Sequence, residues 1–285
     1  MWYDEEENNL YLWTVAPLVY AYDATALFTD LPAKKVDLTD IQFKDSISWR
    51  QDLTYKFGYM FANSAITEIV WGDDFDTSNG LVFEGMFMGT DFESLDLSHF
   101  DMTSAGNVSK MFMNMKNLTD INLSSFGLEK AYEFDEMFSG DSSLVTLDLS
   151  AFRLGSYENE EEWVFPPFGN SEPSFLDMFK NCSNLETIYA SEDFIHPEWD
   201  FDDERYHGGI ENTDLEDMRV FTGATKLTGG AGTQYTAVRP ANGRWYSDPD
   251  CYDYCESYFE PANEYKFLYI DGGSSKPGLF TRKEN

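Results

Sequence analysis

The sequence predicts an α/β solenoid of about six strand–helix coils with a cap at each end, and three observations carry that prediction. The first is a recurring Met-Phe pair, at Met60-Phe61, Met86-Phe87, Met111-Phe112, Met137-Phe138 and Met178-Phe179. Successive pairs lie 26, 25, 26 and 41 residues apart, the last interval being one period plus about 15 residues. Val220-Phe221 follows as a degenerate sixth copy, and Leu27-Phe28 stands where a founding copy would. The second is a set of apolar positions in phase with those pairs. Leu118, Ile121, Leu123 and Phe126 follow Met111, while Leu144, Leu147, Leu149 and Phe152 follow Met137. The third is a change of periodicity within each unit, from alternation to a spacing of three and four.

Each part of the coil has a physical reading. In "SLDLSHF", "DINLSSF" and "TLDLSAF" apolar and polar residues alternate, as in a strand with one buried face; Leu95 and Leu97 point inward and Asp96 and Ser98 outward. In "DMTSAGNVSKMF" Val108, Met111 and Phe112 share one face of a helix, and Asp, Thr and Ser ahead of them suit its start. One coil is then a strand, a turn and a helical segment, and stacking buries columns of Leu, Met and Phe that a lone coil leaves in water. That is the unit of a leucine-rich-repeat solenoid. The array is assigned to residues 25–230, with insertions at about 153–174 and 195–214. Residues 1–24 and 231–285, where the period is lost, are read as the N- and C-terminal caps.

Composition narrows the function classes. The 17% aromatic content is too high for a disordered chain. A formal net charge of −33 repels nucleic acid and anionic membrane surfaces and favours cationic partners. No run approaches the roughly 20 apolar residues of a membrane span. The apolar segment Leu10 to Val19 follows Asp4, Glu5, Glu6 and Glu7, the opposite charge to that of a secretory leader. Of three cysteines, Cys182 sits at a core position of a repeat, and Cys251 and Cys255 are close enough in sequence to pair in an oxidising compartment.

"FDTSNGLVFEGMF" (75–87), "LDLSHFDMTSAGNVSKMF" (95–112) and "MFKNCSNLETI" (178–188) resemble the 26-residue unit of BspA-type leucine-rich-repeat bacterial surface proteins. "ATKLTGGAGTQY" and "YIDGGSSKPGLFT" are similar to the segment that ends such arrays, so the resemblance spans about residues 25–282. It implies a secreted or cell-surface module used for adhesion or recognition, with leader and anchor lying outside this chain.

Two places offer a binding surface. The strands, stacked in register, present the outward column Val70, Asp96, Asn122, Asp148 and Tyr189. Beside it run Gly72, Ser98, Ser124, Ser150 and Ser191 on one side and Glu68, Ser94, Asp120, Thr146 and Thr187 on the other. This polar face can hydrogen-bond a protein or glycan; equally, its Asp and Ser can serve the turn at each strand end, since they recur in the repeat. The two insertions carry Tyr157, Trp163, Phe165, Phe168, Trp199, Phe201 and Tyr206 among acids, a composition like an interface core with a charged rim. Their aromatics can equally pack onto the coils.

No cofactor is expected, and Ca²⁺ has only weak candidates in Asp200, Asp202 and Asp203, without EF-hand spacing. The sequence has no phosphate-binding loop, nucleophile elbow, zinc-protease pair or dinucleotide fingerprint, so the chain is not expected to be an enzyme. The expectation is a monomeric recognition module for a protein or glycan ligand. A structural spacer and an intracellular protein-interaction scaffold are the alternatives.

Overall fold

The described residues of the computed structural model are 2–4, 9–11, 18–19, 23–39, 41–42, 55–73, 75–154, 174–192, 194, 220–234, 244–246, 258–260, 271–272 and 278–283. Fifteen short strands lie among them. The first eight are β1 (Trp2–Asp4), β2 (Asn9–Tyr11), β3 (Leu18–Val19), β4 (Lys35–Asp37), β5 (Ile41–Gln42), β6 (Tyr55–Lys56), β7 (Glu68–Val70) and β8 (Gly80–Val82). Then come β9 (Ser94–Asp96), β10 (Asp120–Asn122), β11 (Thr146–Asp148), β12 (Thr187–Ala190), β13 (Arg244–Tyr246), β14 (Tyr258–Glu260) and β15 (Phe280–Arg282).

The backbone repeats with the sequence. On one edge, parallel pairing sets β4 on β7, β9 on β10, β11 on β12 and β12 on β15, with Val36 opposite Ile69, Leu95 opposite Ile121 and Leu147 opposite Ile188. On a second edge, parallel bridges run from Asp23 to Lys56, Val82 to Asn107, Asn107 to Glu133 and Glu133 to Ser174, with β6 on β8 among them. Alternation in the strands has the expected cause: Leu95, Leu97, Ile121, Leu123, Leu147 and Leu149 are buried, while Ser94, Asp96 and Asp120 are exposed.

The expectation of strand–helix coils, and with it the leucine-rich-repeat solenoid, is corrected here: the described residues contain no helix, only turns and short, mostly parallel strands in small sheets. The Met-Phe segments show why. An α-helix needs each N–H to reach the carbonyl four residues back. Here alternate N–H groups leave the coil altogether. Tyr59, Phe61 and Asn63 donate to the carbonyls of Glu84, Met86 and Met88 at 2.7, 2.9 and 2.6 Å. The residues between them close tight local turns instead: Met60, Ala62 and Ser64 donate to Phe57, Tyr59 and Phe61 at 3.2, 3.1 and 3.2 Å. The same alternation recurs at Gly85–Thr90, Lys110–Met115, Glu136–Asp141 and Met178–Cys182. This ribbon of successive turns repeats an apolar side chain every three or four residues, so it carries the spacing of a helix without its bonds.

The ribbon forces every fourth residue into the left-handed region. Tyr59 and Asn63 have φ of 55° and 53°, Lys110 and Asn114 of 56° and 62°, Asp177 and Asn181 of 53° and 60°. That conformation costs a side-chain-bearing residue roughly 1–2 kcal/mol. Each inter-coil hydrogen bond returns about 0.5–1.5 kcal/mol, and the ordered stack is what makes the exchange favourable. The second residue after the Phe of each Met-Phe or Val-Phe pair is Asn or Gly: Asn63, Gly89, Asn114, Gly140, Asn181 and Gly223; after Phe28 it is Asp30, with φ of 56°. At Gly140, with φ of 85°, a Cβ would lie 2.4 Å from the Asn114 Oδ1 of the coil before. An Asn in one coil thus seats beneath a Gly in the next.

Burial of rings holds the stack together. Phe28, Phe61, Phe87, Phe112, Phe138, Phe179 and Phe221 form one column, neighbouring ring centres 5.3–6.0 Å apart and planes within 21° of parallel. A second column runs through Phe100, Phe126, Phe152 and Phe194 at 6.0–6.4 Å. Such pairs add about 0.5–1.5 kcal/mol each beyond the apolar area they bury. Phe280 of β15 ends both columns by standing nearly perpendicular to Phe179, Phe194 and Phe221.

Three residues past each Phe of the first column from Phe61 on stand Ser64, Thr90, Met115, Asp141, Cys182 and Ala224, all buried. Asp141 Oδ1 accepts the Met115 N–H at 2.8 Å, and Asp141 Oδ2 has no partner. Burial raises this carboxyl well above its ordinary range, with the Met115 N–H opposing. The Cys182 thiol donates to the Phe138 carbonyl, and burial, then the Asp141 charge, push its ionisation up, so it is inert in the core.

Both termini join the array. β1 pairs antiparallel with β2, and Asn9 of β2 pairs with Lys35 of β4. β13 and β14 form a separate antiparallel pair. After Phe221 the chain turns back at Thr228 and Gln234, and β15 supplies the strand next to β12. Asp271 fixes that turn: its carboxylate accepts the N–H groups of Ala231 and Thr233, both at 2.9 Å, and the Thr233 hydroxyl at 2.7 Å.

Candidate functional site

The strand edge brings the polar residues of successive coils into columns. Asp37 lies opposite Val70, Asp96 opposite Asn122, and Asp148 opposite Tyr189. The flanking column pairs Lys35 with Glu68, Ser94 with Asp120, and Thr146 with Thr187. Parallel strands place such neighbours about 4.8 Å apart, close enough for one ligand to span several coils.

Part of each side chain is already engaged. Oδ1 of Asp37, Asp96, Asn122 and Asp148 accepts the N–H of the residue two positions on, at 3.0, 3.0, 3.2 and 3.0 Å. These side-chain turns end the strands, which is why Asp or Asn followed by Ser or Thr recurs in the repeat. The Ser98 N–H, then its hydroxyl, hold the Asp96 carboxyl below its ordinary range, and the Asn122 amide adds to the effect. The outer oxygen of each carboxylate is what remains for a partner.

The backbone ladder of this edge falls into three sheets, ending at β7, at β10 and at β15. At the step from β10 to β11 a cleft of about 340 Å³ opens, lined by Ile121, Asn122, Leu123, Ser124, Asp148, Ser150, Ala151 and Lys283. It unites four residues expected from the sequence, Asn122, Ser124, Asp148 and Ser150, with one that was not. The Lys283 ammonium reaches into it and pairs with Asp148 Oδ2. Burial raises the Asp148 carboxyl, but the bonds from Lys283 and Ser150 outweigh that and leave it below the ordinary value. Beside it the Arg282 guanidinium pairs with Glu192, and Arg153 Nη1 donates to the Ser191 hydroxyl at 2.8 Å. A second polar hollow, of about 450 Å³, lies at the start of β12 between Glu186, Thr187, Lys226, Thr228 and Gln234.

At the other step, from β7 to β9, Trp71 takes the place that Leu97 and Leu123 hold in later coils. Half-buried, it packs on Phe75 at 4.7 Å and Phe100 at 5.2 Å, with the His99 ring 5.1 Å away. Burial depresses the His99 imidazole, and the Asp96 carboxylate opposes it. The sequence reading missed Trp71, His99 and Lys283. Trp71 carried a signal, as an indole at a Leu position; Lys283 carried none, being 135 residues from its partner.

The insertion aromatics Tyr157, Trp163, Phe165, Phe168, Trp199, Phe201 and Tyr206 lie outside the described residues, as do Asp200, Asp202, Asp203, Cys251 and Cys255. Among the described residues no group of three or more His, Cys, Asp or Glu is placed to hold a metal ion. Nor does any helix among them have the length and apolarity to cross a membrane.

Residues 30–152, less than half of the chain, match a family described as "Mycoplasma protein of unknown function, DUF285". That stretch holds the three coils begun at Met60, Met86 and Met111 and part of the one begun at Met137. No curated protein and no solved structure matches the chain.

Proposed function

We propose that this chain is a recognition module rather than an enzyme, and that it binds a protein or glycan partner along its strand edge. The observation that carries the reading is the register of that edge. It aligns Asp96 with Asn122 and Asp148 with Tyr189, and opens a polar cleft between the two pairs. A rigid column of acceptors and hydroxyls at fixed spacing suits an extended ligand that repeats along its own length. The net charge of −33 favours a basic partner. The BspA-type resemblance supports display at a cell surface or secretion, with adhesion as the role.

The test is a binding screen of the purified chain against matrix proteins, mucins and glycans. The variants are Asp96→Ala with Tyr189→Ala on the strand edge, and Trp163→Ala with Trp199→Ala in the insertions. A saturable hit weakened about tenfold by the strand-edge pair, at unchanged melting temperature, supports the reading; loss of two good hydrogen-bonding contacts is worth about that much. A hit lost only in the tryptophan pair moves the site to the insertions. A blank favours the second reading, a spacer, for which the uninterrupted ring column is the supporting feature.

A further inference from the structure

We infer that the cleft between β10 and β11 is a receptor for a primary ammonium, the lysine side chain of a partner protein, and that Lys283 holds it in the partner's absence. The inference rests on the strand-edge reading and names the chemistry of the partner.

Lys283 supplies the occupant's likeness. It follows the last strand and enters a cleft formed two coils away, and its ammonium pairs with Asp148 Oδ2. The carboxylate is prepared for a cation, because the Ser150 N–H fixes Oδ1 at 3.0 Å and turns Oδ2 outward. Ser124 and Ser150 lie alongside with hydroxyls that can accept the remaining ammonium protons. A lysine, with three donors on an apolar stem, suits a cleft whose lining includes Ile121 and Leu123 beside its polar residues.

The same contact is weak enough to be displaced. The side chains of Lys283 and Asp148 are 50% and 37% exposed, and exposed ion pairs hold their partners only slightly. Lys283 donates its backbone N–H to the Ala190 carbonyl, so its anchorage in the array does not depend on the ammonium. A lysine brought in by a partner with its own contacts on the strand edge exchanges with Lys283 and leaves β15 in place.

The experiment titrates the full chain with acetyl-Gly-Lys-Gly-amide, following backbone amide resonances, and repeats this with the norleucine analogue. The variants are Lys283→Met, which keeps the stem and removes the charge, and Asp148→Asn, which keeps the Ser150 turn. Expected are shifts centred on Asn122, Ser124 and Ser150, binding about two- to fivefold tighter in Lys283→Met, as release of a weak internal competitor gives, loss of binding in Asp148→Asn, and none for norleucine. Equal affinity in wild type and Lys283→Met, or shifts spread evenly over the acidic surface, overturns the inference. The two readings fail separately: an array hit sensitive to Asp96→Ala and Tyr189→Ala but indifferent to Asp148→Asn keeps the strand edge and discards the lysine, whereas a hit lost only in Trp163→Ala with Trp199→Ala discards the strand edge.

Discussion

Along the Met-Phe edge six ring pairs stack from Phe28 to Phe221 without interruption, whereas along the strand edge the backbone ladder stops at β7 and again at β10. Both edges use hydrogen bonds from one coil to the next, yet they spend their side chains differently. From Phe61 on, the rings of the first edge are fully buried, and a missing ring there has nothing to replace it. The second is wet, and water satisfies whatever the ladder leaves open. Stability therefore resides in the ring column, and the strand edge is free to carry chemistry, including two clefts and a Trp-His pair.

Three substitutions break or sharpen that contrast. The largest effect is expected for Phe112→Ala, whose fully buried ring lies 6.0 Å from Phe87 and 5.3 Å from Phe138. Denaturant unfolding should show a loss of about 3–5 kcal/mol, the usual cost of deleting a core phenylalanine. A loss below about 1 kcal/mol would place the stability elsewhere.

The second is Asp141→Asn, three residues past Phe138 of the same column. Burial raises the folded-state value well above the ordinary carboxyl range, so neutral Asp141 is tolerated and its ion is not. Stability is intact below the unfolded value and falls as pH rises toward the folded one. The variant should thus be close to wild type at or below the ordinary Asp value of about 3.9 and increasingly the more stable as pH climbs. A stability difference between the two that stays flat with pH would show that Asp141 does not titrate on unfolding.

The smallest is Asp96→Ala on the strand edge. Its turn bond to Ser98 is solvent-facing, so the melting temperature should hardly move, within about 0.5 kcal/mol. A cost approaching that of Phe112→Ala would make the strand edge as structural as the ring column.

How far the sequence could be read follows from the same contrast. The period, the ring column and the inward leucines were legible because burial leaves an apolar residue at a fixed phase in every copy. The helix was a misreading. Val108, Met111 and Phe112 have helical spacing, but Lys110 and Asn114 between and after them are left-handed. The cue lay in the Asn or Gly two residues past each Phe, a residue choice that a left-handed backbone favours and a helix interior does not. At the site, Asn122 and Asp148 were legible as outward positions of strands. The cleft was not, because it depends on where one sheet ends and the next begins, which no local pattern records. Trp71 was legible as a repeat position after Met60, but not as part of a site with His99.

The borrowed last strand sets an order of events for folding. Neighbouring coils meet across 26 residues, as Ser94 does with Asp120, whereas Arg282 reaches Glu192 across 90. Closing the longer loop costs only ~1 kcal/mol more in chain entropy. In time, however, the difference is large: β12 must wait for the chain to be synthesised to within a few residues of Arg282 before its open side is covered. Growth of the stack toward the C-terminus therefore pauses with an aromatic column open at its end until Phe280 arrives.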